Sequence, residues 1–590
     1  MSESESPTSP PESAEQAKLK PTPVARAESL DALRGLAILL MCLSGILPGA
    51  LPNWMYHGYY PTHLPSTLLT TGEAASAIDA GPGNHLGEWE PVPIKKFRAD
   101  WPSFTWVDAV FPMFLFAMGA AIPLSIHARR KRDATFGQLL LSSLARFGLL
   151  VGFAVYCQQV TPYFMENPPS AATWGLALLA MVPAGLVLTR LPRNWSKRTA
   201  IIIRGVGWLS AIGIVVLAQS RSERAFSWND KDIILLLLAW SSLLVSVATL
   251  IVGRWVWLRL LIVLPIAGLA HHQAMRLGWR VFGDSFEAWM EWLQGPQRWL
   301  DRSAWSGPLP DGLFDFSGLY DFTWFKFAGI VVLGTVIGDV LVKWQNKSSA
   351  ANEAKRRFGR DVLLTVLLLT AVVGSFVGLK DYATTLAELG GWRLASPYAA
   401  LLLGGLPAVL AVLVGGLGTK RDDDADGRYV RTLTAWGSGF LIVGMILAVL
   451  PGPTLDTAFG YFEGGIKKGP PSTLSWYVVS LGVSVLLLAA GAVWIDVRRV
   501  RWPWAWVIAN GQNPMLAYLG IRNLLAPLMA LPVVWWVGES ASWGSSVNAW
   551  MLANVFDGGP WSAAVWAGLQ TLGLAWVVWA LTWRRVIWRV

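Results

Sequence analysis

The sequence predicts an all-α polytopic membrane protein, a bundle of about 12–14 transmembrane helices with both termini in the cytoplasm. Three observations predict it. Charged residues make up 15% of the 590-residue chain and hydrophobic ones 54%. An ordinary soluble domain carries roughly 25% charge, so too little is present to coat several soluble domains. The apolar residues fall in repeated runs of about 18–22, the length of a helix crossing a hydrocarbon core of roughly 30 Å. Tryptophan is abundant, at 35 residues; its ring is half apolar and its N–H needs a partner, which suits the headgroup zone at the end of each crossing. Soluble enzymes, DNA-binding proteins and secreted disulfide scaffolds are excluded by the same figures.

Residues 1–28 are rich in Ser, Pro, Glu and Ala and lack the basic-then-apolar order of a signal peptide. They read as a disordered cytoplasmic tail, followed by one transmembrane domain over 29–590. The first span is expected from about Leu30 to Leu51. Hydropathy places others near 105–126, 138–160, 172–190, 200–219, 232–252, 254–271 and 323–343. Further ones fall near 361–379, 397–418, 432–450, 474–495, 504–535 and 561–583, about 14 in all. Two long outer loops are expected, at 52–104 and 272–322, the second aromatic and suited to lying along the membrane surface. Cys42 and Cys157 sit in or at the end of apolar runs and read as buried free thiols. Gly334-x-x-x-Gly338 and the glycine-rich 404–418 stretch read as close helix packing.

The net charge of +10 is expected to sit in cytoplasmic loops rather than on a nucleic-acid surface. Alternating from a cytoplasmic start, the inner loops collect Arg129-Arg130-Lys131-Arg132, then Arg190, Arg193, Lys197 and Arg198. Later inner loops carry Lys343 to Arg360, Lys420 to Arg431, Arg498 to Arg501, and Arg584 to Arg589. The outer loop at 161–171 has no Lys or Arg, whereas Arg221, Arg224 and Lys231 break the pattern at 220–231.

The polar residues carry the chemistry. There is no P-loop, no H-E-x-x-H helix and no cysteine pairing at zinc-finger spacing, so no metal site is expected. Of the six histidines, His57 and His63 lie in the aromatic stretch W-M-Y-H-G-Y-Y-P-T-H just past the first span. A neutral imidazole there suits removal of a proton from an attacking amine or hydroxyl. Asp31 and Arg34 stand i, i+3 at the start of the first span, which suits either a helix-end ion pair or a guanidinium facing a phosphate. Asp108 opens the second span, as a helix N-terminal charge or as the group that orients a nearby histidine. Arg146, inside the third span, needs a polar interior. Asn510, Gln512, Asn513 and Arg522 form a polar run within an apolar segment, either helix-to-helix glue or the lining of a channel.

Four segments together resemble the heparan-α-glucosaminide N-acetyltransferase family, most closely its uncharacterised bacterial branch. They are R-A-E-S-L-D-A-L-R-G at 26–35, T-W-V-D-A-V-F-P-M-F-L-F-A-M-G-A-A-I-P-L-S at 105–125, G-G-I-K-K-G-P-P-S-T-L-S-W-Y at 464–477 and G-Q-N-P-M-L-A-Y at 511–518. The likeness spans most of the chain, with the middle third matching only as apolar helices. It implies a transmembrane acetyltransferase that takes acetyl-CoA from the cytoplasmic side and acetylates an amino sugar on the far side. The catalytic base implied is His57. The family's histidine lies close before the second motif, whereas about 50 residues separate His57 from Asp108, so His63 stays a second candidate. The family's asparagine before the histidine has no counterpart here.

The expectation is therefore acyl transfer across the bilayer, with His57 or His63 as base and Asp108 steadying its tautomer. Arg34, Arg129, Arg130 and Arg146 are expected to hold the nucleotide end of acetyl-CoA, and Lys467, Gln512 and Asn513 the glycan acceptor. The expected partners are that acceptor, the lipid of an inner (cytoplasmic) membrane and a second copy in a homodimer, with no nucleic acid. The competing expectation is a transporter or flippase for an envelope glycan precursor, without chemistry. It explains the spans equally well but not the paired opening motifs, and no repeat symmetry between the halves supports it.

Overall fold

A computed structural model of the chain describes residues 27–48, 51–56, 104–192, 195–222, 226–270, 289, 292–293, 316–347, 358–379, 399–416, 425–449, 466, 468, 472–531, 546–556 and 558–588. The protein is an all-α polytopic membrane protein. Among the described residues ten helices are long and apolar enough to cross a membrane, and the extended structure amounts to one isolated bridge, between Thr189 and Trp588.

In chain order the helices begin with α1 (Glu28–Ser44), α2 (Trp106–Arg130), α3 (Phe136–Gln159), α4 (Ala171–Leu188), α5 (Lys197–Gln219), α6 (Ile233–Val252) and α7 (Val256–Leu269). They continue with α8 (Ala328–Lys347), α9 (Phe358–Leu379), α10 (Leu401–Gly416), α11 (Ala425–Val449) and α12 (Leu474–Val497). Last come α13 (Ala505–Gln512), α14 (Pro514–Gly520), α15 (Val547–Asn554) and α16 (Pro560–Trp583). A helix stands in every span expected from hydropathy, with two changes of outline. The first span stops at Ser44, where Gly45 closes the helix by donating to the carbonyls of Met41 and Cys42. The span expected at 504–535 is broken: α13 ends at Gln512, and Asn513 leaves helical geometry at φ −131°, ψ 50°. Pro514 explains the break, because it has no N–H to continue the ladder and disfavours a helical residue before it.

Among the described residues, helix ends rich in Lys and Arg gather on one face, here the basic-loop face. Lys131 Nζ donates to Asn346 Oδ1 at 2.8 Å, joining the ends of α2 and α8. Arg498, after α12, pairs with Asp361 at the start of α9 at 2.7 Å. The opposite face is tied by Phe104 N–H to the Leu379 carbonyl at 3.0 Å and by Asp232 N–H to the Ala154 carbonyl at 3.0 Å. Arg221, an exception to the charge pattern on that face, has Glu166 as counter-charge. Hydrogen bonds from Ser170 and Thr173, with help from Arg221, hold the Glu166 carboxyl down at about 2.

Helices α2 and α12 form the centre, with 72% and 78% of their apolar stretches buried, while α5 lies at the edge with 17%. A bilayer gives two apolar helices little reason to prefer each other over lipid, so close backbone approach must supply the attraction. Two crossings do so. Gly334 and Gly338 of α8 face the carbonyls of Phe116 and Ala120 on α2, where a Cβ would overlap. Gly35 of α1 and Gly511 of α13 face each other's backbones: a Cβ on Gly35 would collide with the Val507 carbonyl, and one on Gly511 with the Asp31 carbonyl. The two thiols are free and buried, as expected.

Gly511→Val should therefore wedge α13 off α1, whereas Gly213→Ala in α5, where a Cβ meets nothing within 4 Å, should be silent. An overpacked crossing costs about 1–3 kcal/mol or more. Thermal unfolding of the detergent-solubilised protein, followed by size-exclusion elution, is expected to show a clear drop in midpoint for the first variant alone.

Candidate functional site

Helix α2 carries a polar group at each end, and both are built by residues from other helices. At its start Thr105 is extended (φ −117°, ψ 173°) and leaves the first amide groups of the helix without partners. Asp108 answers this: its Oδ2 accepts the Thr105 N–H at 3.1 Å and the Thr105 hydroxyl at 3.3 Å. The carboxylate is fully buried, so a compensating cation is expected beside it. Lys468, in the segment leading to α12, lies within electrostatic reach of it. Desolvation of Lys468 lowers its pKa from the usual lysine value, and the attraction of Asp108 offsets part of that fall. The Thr105 hydroxyl also contacts the Tyr56 carbonyl at 2.5 Å, so the chain leaving α1 is fastened to the same helix end. Ser472, whose hydroxyl donates to the Lys468 carbonyl at 2.6 Å, and Tyr477 lie next to this group on the α12 side.

Toward the basic-loop face three guanidinium groups converge. Arg34 donates to Asp31 Oδ1 at 3.4 Å, to the Gly511 carbonyl at 3.5 Å and to the Ala117 carbonyl of α2 at 3.2 Å. Arg146 of α3 lies within electrostatic range of both Arg34 and Arg129. Its Nε is buried without a hydrogen-bond partner among the described residues. Arg129 is tethered by its contact with the Ser142 hydroxyl. Asp31 pairs with Arg34, and the three guanidinium groups together suit binding of a polyanion such as a phosphate ester. Arg34 meets α2 only about nine residues from Asp108, roughly 14 Å along the axis at about 1.5 Å per residue. The cationic group thus reaches well into the membrane toward the acidic one.

A third polar centre lies near the opposite face. Asp232 caps α6 by accepting the Leu235 N–H at 3.2 Å. Its other oxygen accepts the Tyr518 hydroxyl at 2.6 Å and pairs with Arg522 at 3.4 Å. Arg522 sits in a π-helical turn, Ile521–Leu525, that continues α14. Asn523 in that turn ties the carbonyls of Val160 and Ala177 at 2.8 and 3.2 Å.

Of the residues singled out in the sequence, the structure brings Arg34, Arg129 and Arg146 together and puts Asp108 at the far end of the same helix pair. The Arg130 side chain is exposed and makes no hydrogen bond or ion pair among the described residues, so it stands outside the cluster. Asn513, expected to hold the acceptor, is placed in a structural role by its contacts. It is fully buried, donates to Thr582 and the Val586 carbonyl at 3.3 and 2.8 Å, and accepts the Trp588 N–H at 3.0 Å. Its amide is used up in holding the end of α16, on the basic-loop half, away from Asp108. Gln512 is on the same half. His57, His63 and Lys467 lie outside the described residues; Lys468, next to Lys467, is the lysine found near Asp108. Lys468, Asp232 and Tyr518 are not marked out by the sequence, although all sit in or beside the segments described above. The T-x-x-D spacing of Thr105 and Asp108 was the one readable signal of the capping geometry.

A family model described as a domain of unknown function (DUF5009) matches residues 26–67 and 67–290. The chain is similar to that family over α1 to α7, which includes Arg34, Asp108, Arg129 and Arg146. No curated protein matches the chain.

The lowered pKa of Lys468 has a direct readout. Its amine is expected to react with an amine-specific acylating reagent at lower pH than surface lysines do. Because Asp108 holds the pKa up, Asp108→Asn should move the onset to still lower pH. Peptide mass mapping across a pH series measures both, and an onset matching surface lysines in the wild type would contradict the assignment.

Proposed function

We propose that the chain is a transmembrane acyltransferase that moves an acetyl group from acetyl-CoA on the basic-loop face to an amino sugar or glycan on the opposite face. The single observation that carries the reading is the pairing of the Arg34, Arg129 and Arg146 cluster with the buried Asp108 at the other end of α2. Under the positive-inside rule the basic-loop face is cytoplasmic, where acetyl-CoA is available to a bacterial inner-membrane protein. The family resemblance in α1 and α2 supports the same assignment.

In this reading the three arginines take the donor's phosphates; the partnerless Arg146 Nε is a donor of the kind such a group needs. Arg34 also orients the donor, because its contact with the Ala117 carbonyl fixes its depth. His57 follows Tyr56 in the chain, and the Tyr56 carbonyl is fastened to Thr105. His57 would accept the proton of the attacking amine as the new C–N bond forms, and the C–S bond would break as the proton passes on to the leaving thiolate. Asp108 would favour the protonated imidazole, and Lys468 would balance the charge of the carboxylate. His63 is the second candidate for the base.

The test is purified protein in nanodiscs with radiolabelled acetyl-CoA and a panel of amino sugars, scoring CoA release and label transfer. His57→Ala is expected to cut turnover by about 10²–10⁴-fold. Arg34→Gln is expected to raise the KM for acetyl-CoA roughly tenfold, the loss of one charge-assisted hydrogen bond, with kcat little changed. Loss confined to His63→Ala would move the base and keep the class. Absence of CoA binding and release with every acceptor would overturn the proposal and favour transport of a glycan precursor.

A further inference from the structure

On the flank of the bundle, away from α2, a cavity of about 340 Å³ opens between α3, α4 and α5. It is lined by Leu149, Val187, Leu188, Thr189, Arg190, Arg204 and Trp208. Both guanidinium side chains are exposed, and neither has a hydrogen bond or ion pair among the described residues. Arg204 is the more telling of the two. It belongs to the span with the smallest buried share, and its neighbours Ile201, Ile202, Val206 and Leu209 are exposed. An arginine on such a lipid-facing helix is costly unless an anion meets it or it reaches the headgroup layer. Arg204 lies about seven residues into α5, roughly 10 Å from its start at about 1.5 Å per residue, within a side chain's length of that layer. Arg190 sits where α4 ends on the same face, and its N–H bonded to the Ile587 carbonyl at 2.9 Å fixes the backbone there.

The lining has two chemistries in one hollow. Two cations and the Thr189 hydroxyl line it together with the apolar Leu149, Val187, Leu188 and the Trp208 ring. We propose that this cavity binds an anionic phospholipid from the basic-loop leaflet. Its phosphate rests on Arg190 and Arg204, and an acyl chain lies along Leu149 and Trp208. The mixed lining favours a lipid over a free phosphate ion, which would leave the apolar wall facing water. Basic pockets between membrane helices recognise anionic headgroups on the same physical grounds. The proposal does not depend on acyl transfer, and the site lies apart from the Arg34 cluster.

Native mass spectrometry of the detergent-solubilised full chain tests it. Wild-type protein is expected to retain phosphatidylglycerol and shed phosphatidylcholine, and 1 mM-range inorganic phosphate, on the order of ordinary buffer levels, should not displace the bound lipid. The double variant Arg190→Gln/Arg204→Gln should retain roughly tenfold less phosphatidylglycerol, and Arg190→Lys/Arg204→Lys should keep most of it. Equal retention of the two lipids by the wild type, or undiminished retention by the glutamine variant, would overturn the proposal. So would displacement by inorganic phosphate, which would make the cavity a soluble-anion site. The wild-type lipid comparison needs no variant to fold.

Discussion

The crossing of α1 over α13 at Gly35 and Gly511 is the constraint on which the site depends. Without side chains at the contact, the two backbones approach until Arg34, one residue before Gly35, can reach both the Gly511 carbonyl and the Ala117 carbonyl of α2. Three helices therefore share one guanidinium. A bulkier crossing would lift α13 from α1 and take the Gly511 carbonyl out of reach of Arg34. The motif pair L-R-G and G-Q-N-P, hundreds of residues apart in the chain, thus describes one point of contact. Its glycines shape the approach, and its arginine records how close that approach is.

The buried charges follow a common accounting. A carboxylate carried into the membrane needs either a cation or several donors, because desolvation alone would disfavour its charged form. Asp361 has Arg498, and Asp339 has Arg259. Asp496 instead collects the Ser29 N–H and hydroxyl at 3.0 and 2.5 Å and the Tyr429 hydroxyl at 3.1 Å. These pairs join helices that are distant in sequence and act as struts. The Arg34, Arg129 and Arg146 cluster differs because three like charges lie within electrostatic reach of one another, the arrangement on which the proposed donor site rests.

Span positions were legible in the sequence because hydrophobic length is a local property and the bilayer sets it. The Gly334 and Gly338 crossing and the buried thiols were legible too, whereas the Gly35 and Gly511 crossing, between segments hundreds of residues apart, was not. The roles of polar residues inside spans were less so. Asn513 and Arg34 look alike as isolated polar groups in apolar runs, yet one is saturated by the Val586 and Trp588 backbone and the other belongs to an unbalanced cluster. Nothing local separates them, since the deciding partners lie dozens to hundreds of residues away. That Lys468 lies within reach of Asp108 is likewise a matter of tertiary register, which no spacing rule supplies.

The stretch after α16 folds back onto the bundle, and this bears on how the protein is made. Trp588 bridges to Thr189, about 400 residues earlier, and its N–H completes the hydrogen bonding of Asn513. Helices enter the bilayer in order as the ribosome produces them, so α4 and α13 wait with polar backbone and amide groups unmatched until these late residues arrive. The early spans can insert, but α4 and α13 complete these contacts only once Trp588 has been made. At this corner the bundle is therefore closed by residues made long after the helices they join.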